Sequence, residues 1–267
     1  MKERYVMRFL RTFKNELARA VLSPRFAAAV VIILAGLIFG GIKELIEFLK
    51  TLPNTEPGSL RFGMEHMFFS IAVNSDAAHF VLPIAAALPC SVLFIDDLTS
   101  GFIKAYVSKT GRAAYIAVRG IVSLLVPALA AALGMAIFYT ALYLIVSPYC
   151  MPADNGVSMA EHVFSILRMI GLYSAGAALW SAVGLLIAGA TVNRFSAVAS
   201  PFILFYLMEI AFTRYFPTAM RLVPSMYLST DSLFESPMTP ILISLALACV
   251  LIAAFSAAAY TRIRRQI

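Results

Sequence analysis

Charge is scarce in this chain, so where it falls carries weight: 13% of residues are Asp, Glu, Lys or Arg, against about 25% in an average soluble domain. The densest chemistry lies at residues 96–119, DDLTSGFIKAYVSKTGRAAYIAVR, where Asp96 and Asp97 precede Lys104, Lys109, Arg112 and Arg119. Thr99 and Ser100 are good helix caps and Gly101 permits a tight turn. Phe102, Ile103, Tyr106 and Val107 then fall on one face of a short helix, with Lys104 and Lys109 beside them. Such a helix, held between two turns, has the shape of a docking element. An ordinary loop whose cations only set topology accounts for the same residues equally well.

Glu209 is the other informative charge. It stands inside an apolar run, about 20 Å along a helix from Ser196. A carboxylate at such a depth is costly, so it either lines a polar path or gate, or pairs with Arg214 or reaches the headgroups. Beyond these residues the chain offers few reactive groups. His66, His79 and His162 are scattered, so no metal site is expected. No GxSxG elbow and no GxxxxGK[ST] phosphate loop is present, and no catalytic residue stands out.

The elements that must position these residues are apolar helices. Runs at 27–42, 77–95, 121–146, 166–190, 197–212 and 240–260 approach or exceed the ~20 residues that span a bilayer. The chain is 61% hydrophobic with mean hydropathy +0.87, where a soluble domain holds about 45–50% apolar residues. Backbone in hydrocarbon must bond within its own segment, so these runs are expected as helices. The first and fifth are short at ~16 residues, with Lys43 and Arg214 placed to snorkel. Pro83, Pro89, Pro127 and Pro201 fall within spans and are tolerated there. The three cysteines imply no disulfide framework.

Of the 21 Lys and Arg, the flanks on the side of both termini hold all but Lys43, Lys50, Arg61, Arg168, Arg214 and Arg221. The positive-inside rule therefore predicts cytoplasmic termini. The net charge of +7 is then a topology signal, and no basic surface for nucleic acid is expected. Residues 1–24 predict an amphipathic helix lying on the membrane: Val6, Phe9, Leu10, Phe13, Leu17 and Val21 share a face, and Arg4, Arg8, Arg11 and Lys14 occupy much of the rest. Ser23-Pro24 ends it. On the outer side, 47–76 and 147–163 read as loops. Residues 213–238 are too apolar for an exposed loop and predict short re-entrant or interface-lying helices. Gly36 and Gly40 form a GxxxG pair that permits close helix approach, for dimerisation or for internal packing.

Taken together, these elements resemble the membrane subunit of type-2 ABC exporters. The carrying motif is acidic–x–x–x–Gly–x–x–Lys, here Asp97-Leu98-Thr99-Ser100-Gly101-Phe102-Ile103-Lys104, followed by Arg112 and Arg119. It lies between the second and third of six spans, behind an amphipathic N-terminal helix. Where the family often has a proline after the short helix, this chain has Lys109-Thr110-Gly111.

The resemblance implies an all-α integral membrane protein of a bacterial cell membrane, with residues 25–267 as one six-span domain. Residues 96–119 would couple it to a separate ATP-binding cassette subunit through Asp96, Asp97, Gly101, Phe102, Lys104, Lys109, Arg112 and Arg119. ATP and Mg would sit on that partner, with no cofactor on this chain. A second permease copy, identical or a sister, would pack against spans one and five, with Gly36 and Gly40 at the interface and Glu209 near the path or outer gate. The cargo would be a peptide, lipid or amphipathic drug, with antimicrobial peptides favoured by the lack of an extra domain. The competing classes are a membrane scaffold, a secondary transporter and an integral membrane enzyme. The last two need broken spans with midplane charges, or several polar groups converging at one depth.

Overall fold

A computed structural model describes residues 2–266 apart from 52–54, 57, 59, 61–62, 151–158, 230–235 and 237. Pro53, Pro57, Arg61, Pro152, Asp154, Gly156, Asp231, Glu235 and Pro237 of the sequence-predicted loops therefore lie outside the described residues. In chain order the helices are α1 (Lys2–Val21), α2 (Pro24–Thr51), α3 (Met64–Val73), α4 (Asp76–Thr99), α5 (Phe102–Thr110), α6 (Arg112–Val146), α7 (Met159–Thr191), α8 (Arg194–Ile210) and α9 (Thr239–Gln266). No strand occurs among the described residues; Leu60 and Cys150 form an isolated bridge.

Six of these helices are long and apolar enough to cross a membrane: α2, α4, α6, α7, α8 with its continuation to Tyr215, and α9. Each contains one of the apolar runs and extends it into polar flanks. The first run, short on apolar content alone, sits in a 28-residue helix of about 42 Å, well beyond the ~30 Å hydrocarbon core. The fifth reaches Tyr215 because a π turn, Ala211–Tyr215, carries it onward.

Helix starts follow local capping. The Ser23 hydroxyl accepts from Phe26 N at 3.2 Å with Pro24 opening α2. The Ser75 hydroxyl accepts from Ala78 N at 3.2 Å to start α4, and the Asn193 carbonyl oxygen accepts from Phe195 N at 2.9 Å to start α8. The prolines stay within their helices: Pro83 and Pro89 in α4, Pro127 in α6 and Pro201 in α8.

At the centre stands α7, which packs on α4, α6, α8 and α9. Small residues make that possible. A Cβ on Gly184 would stand 2.9 Å from the Ala197 carbonyl and 2.8 Å from the Ser91 hydroxyl, so α4 and α8 approach the α7 backbone directly. The main core joins Ile33, Leu37, Phe69, Leu82, Val126, Met135 and Tyr173, and a second cluster joins Phe94, Tyr115, Phe255 and Ile263 at the end that holds both termini.

One stretch differs from the sequence expectation, and a second takes an unexpected helix type. Residues 64–73, read as part of a polar loop, form α3, with Phe68, Phe69, Ala72 and Val73 buried against α2 and α6. A segment of this length cannot span, and Glu65 and His66 mask its apolar face in sequence. Residues 213–238 do carry short helices, Pro217–Leu222 and Pro224–Tyr227, both 3-10. Val223 and Leu228 are buried on the bundle, which explains why the segment is apolar.

Candidate functional site

The second span ends on two adjacent carboxylates with different fates. Asp97 is fully buried. One of its oxygens takes the Arg19 guanidinium of α1. The other accepts from the Tyr115 hydroxyl at 3.1 Å and lies 3.3 Å from Arg119 Nη2 of α6. Arg119 in turn donates from Nη1 to Glu16 Oε2 at 2.6 Å. Glu16, Arg119, Asp97 and Arg19 thus alternate in sign across α1, α4 and α6. A buried charge is costly unless it is paired, and each of these four has an opposite charge beside it, although Arg119 Nε and Nη2 and Arg19 Nη1 make no hydrogen bond among the described residues.

Asp96 is partly buried, at 23% exposed. It binds Arg25 at the start of α2 and Arg194 at the start of α8, the latter at 2.6 Å. Arg262 of α9 donates to the Ala190 carbonyl at the end of α7 at 2.7 Å. At this end of the bundle, then, every span is tied to another by a charged side chain.

Helix α5 sits on the cluster. Gly101 (φ 72°) and Gly111 (φ 87°) are its two hinges to α4 and α6, both in the positive-φ region that side chains avoid. Of its expected apolar face, Ile103 and Val107 are buried, Tyr106 is half-buried and Phe102 is exposed. Arg19 Cζ stands 4.6 Å from the Phe102 ring centroid, Phe102 stacks on Tyr106 at 5.0 Å, and Tyr106 meets Tyr115 edge-on at 5.9 Å. Burial, then the nearby Glu16 carboxylate, raises the Tyr106 hydroxyl above its ordinary value, so it stays neutral. Lys104, Ala105, Ser108 and Lys109 form the outward face.

The structure therefore divides the residues expected to meet a partner. Phe102, Lys104 and Lys109 are exposed on α5, and Arg112 is half-buried at the start of α6. Asp97 and Arg119 are interior, at 0% and 1% exposed, and a docked partner cannot touch them here. Their place is inside the bundle beside α5, each held by opposite charges. In sequence Arg19, Arg25 and Arg194 read only as topology marks, and nothing singles out Glu16 or Tyr115 as their neighbours. One signal is present in the sequence: Thr12, Glu16 and Ala20 form an i, i+4 stripe on α1 that places an acid between small neutral residues, and all three are buried.

Glu209 reaches the 3-10 segment. Its carboxylate accepts from Ser225 N at 3.2 Å and from the Ser225 hydroxyl at 2.8 Å, capping the turn Pro224–Tyr227. These bonds, and not an ion pair with Arg214, satisfy it. Gly36 and Gly40 are used inside the chain. A Cβ on Gly36 would overlap Val81, and one on Gly40 would overlap Ser75 and stand 2.8 Å from the Ala72 carbonyl. The close approach expected between copies is made here by α2 to α3 and α4.

The histidines are less scattered than their sequence positions imply. His66 and His162 lie with ring centroids 5.1 Å apart, while His79 is separate and buried in α4. His162 Nε2 is 3.4 Å from Glu65 Oε1, and His66 Nε2 is 2.9 Å from the Ser165 hydroxyl. Burial, then the His162 neighbour, lowers the His66 pKa, while Glu65 opposes the shift. Among the described residues no group of His, Cys, Asp and Glu has the geometry to hold a metal ion.

Six helices of spanning length, closed at the terminal end by a buried ion-pair cluster, define a multi-span helical membrane protein. No family model matches the sequence, and no curated protein matches it.

Proposed function

We propose that this chain is the permease subunit of an ATP-driven exporter in a bacterial cell membrane. The observation that carries the proposal is the construction of α5. It is a short helix with Lys104 and Lys109 exposed, sitting on a buried cluster that reaches α1, α4 and α6. A ligand moves a two-state machine only through contacts that differ between its states. A push on α5 would act first on the contacts beneath it, Arg19 against Phe102 and Tyr106 against Tyr115.

In this reading both termini are cytoplasmic, in accord with the Lys/Arg bias. Helix α1 lies amphipathically at the headgroup level. A separate ATP-binding cassette subunit with ATP and Mg grips α5, and a peptide, lipid or amphipathic drug is exported. A second permease copy covers part of the sparsely buried spans. Helices α2 and α8 flank α4, and on that side Phe80 packs on Phe202 (4.6 Å) and Tyr206 (5.8 Å), with Phe80 and Tyr206 exposed.

The test is purification from native membranes. The expected result is a co-purifying subunit bearing GxxxxGK[ST], with vanadate-sensitive ATPase activity. Lys104→Glu with Lys109→Glu should release that subunit while leaving the permease folded. An intact native assembly without a nucleotide hydrolase would overturn the proposal and favour a scaffold or a transporter not driven by ATP.

A further inference from the structure

A cavity of about 250 Å³ lies between α7, α8 and α9. Helices α8 and α9 both pack on α7 but hardly on each other, so α7 forms the back wall of a cleft. Gly176 and Trp180 stand on that wall, Leu204 and Met208 on α8, and Leu247 and Val250 on α9. The 3-10 segment closes one end with Pro224, Tyr227 and Leu228, and Glu209 holds that segment in place through Ser225.

Two properties select the occupant. Trp180, Tyr227 and Ser244 alone bring polar side-chain N or O atoms to the lining. Water needs two to four polar partners and would not fill such a space. The volume exceeds the roughly 150 Å³ of apolar cavity that takes up benzene, yet falls below the roughly 300–1,000 Å³ of sites for whole drug-sized ligands. It therefore suits a segment of a hydrocarbon chain. Its mouth decides the source. Leu204, Leu247 and Val250 are exposed at the opening, and they continue into Ile203, Leu207 and Leu242 on the outer surfaces of the two spans. The medium outside that mouth is bilayer hydrocarbon.

We propose that the α8–α9 cleft is a binding site for one acyl chain of a membrane phospholipid, entering sideways from the bilayer. This goes beyond the exporter reading and rests only on the spans lying in a membrane, so purified protein without any ATPase is sufficient to test it.

Trp180 is the sole tryptophan and is 4% exposed. The full chain is reconstituted in vesicles of mid-chain dibrominated phosphatidylcholine and, separately, of the unbrominated lipid. Bromine quenches indole at contact range, so an occupied cleft quenches Trp180 in the brominated vesicles. The variant Leu247→Phe/Val250→Phe narrows the mouth from two lipid-facing positions and should lose that quenching. Native mass spectrometry of the wild type after detergent exchange supplies a readout that needs no variant, with a retained phospholipid expected. Equal quenching in wild type and variant, or wild type that neither quenches nor retains lipid, would overturn the proposal. So would quenching by a brominated free fatty acid but not by the brominated phospholipid, since it would assign the cleft to a single-chain amphiphile.

Discussion

Arg119 of α6 donates to Glu16 of α1 at 2.6 Å, and both side chains are 1% exposed. The pair joins the first helix of the chain to the third span across the interior. It makes α1 part of the bundle.

Removing one partner of a buried pair leaves an uncompensated charge, at a cost of about 3–5 kcal/mol. Arg119→Met should therefore lower the melting temperature sharply in detergent. Glu16→Leu combined with Arg119→Met should recover most of that loss, because Asp97 keeps Arg19 and Tyr115. Thermal unfolding of the two singles and the double checks both statements, and additive losses would refute the pairing.

Arg19 bridges Asp97 and the Phe102 face. Arg19→Lys keeps the charge and loses the planar stack, at about 1 kcal/mol. The effect should be local: hydrogen exchange rises in α5 while that of α7 is unchanged. Uniform loosening of the whole bundle would argue against a specific link.

Glu209→Ala removes the acceptor for both Ser225 donors, with an expected local cost of about 1–3 kcal/mol. Hydrogen exchange at residues 223–229 should accelerate. Glu209→Gln retains one good acceptor and should fall between wild type and Ala. Unchanged exchange in both variants would free Glu209 from this structural role.

Gly40→Ala should destabilise by about 1–3 kcal/mol through overpacking against Ala72 and Ser75. Oligomeric state in the membrane, read by cross-linking, should not change. A selective loss of dimer with full monomer stability would instead place this glycine between copies.

His66 has a folded-state pKa below its unfolded value of about 6.5. The unfolded chain therefore binds the proton more readily. Stability present above about pH 6.5 should fall as the pH drops below it, and level off once the pH passes below the folded value. His66→Gln should flatten that part of the pH–stability curve; an identical curve would show that another group governs it.

The six spans are legible because the demand for apolar length is strict and local, and each run found its helix. The periodicity of residues 102–107 likewise places Ile103 and Val107 inside. What sequence could not supply is which partner fills a surface. Gly36 and Gly40 announce a flat helix face, yet nothing in their neighbours along the chain names Val81 and Ser75 as what rests on it. The cations Arg19, Arg25 and Arg194 look alike in a count of topology marks. Only the fold distinguishes those bound to Asp96 and Asp97 from those facing solvent. Helix α3 escaped because it is too short to register as a span and too polar at Glu65-His66 to register as core.

Helix α5 is separated from α4 by Ser100 and Gly101, and from α6 by Gly111 alone. Links that brief have little slack. Helix α5 is a crossbar fastened to two uprights: it can swivel at Gly101 and Gly111, but a displacement larger than those joints absorb carries the end of the second or third span with it.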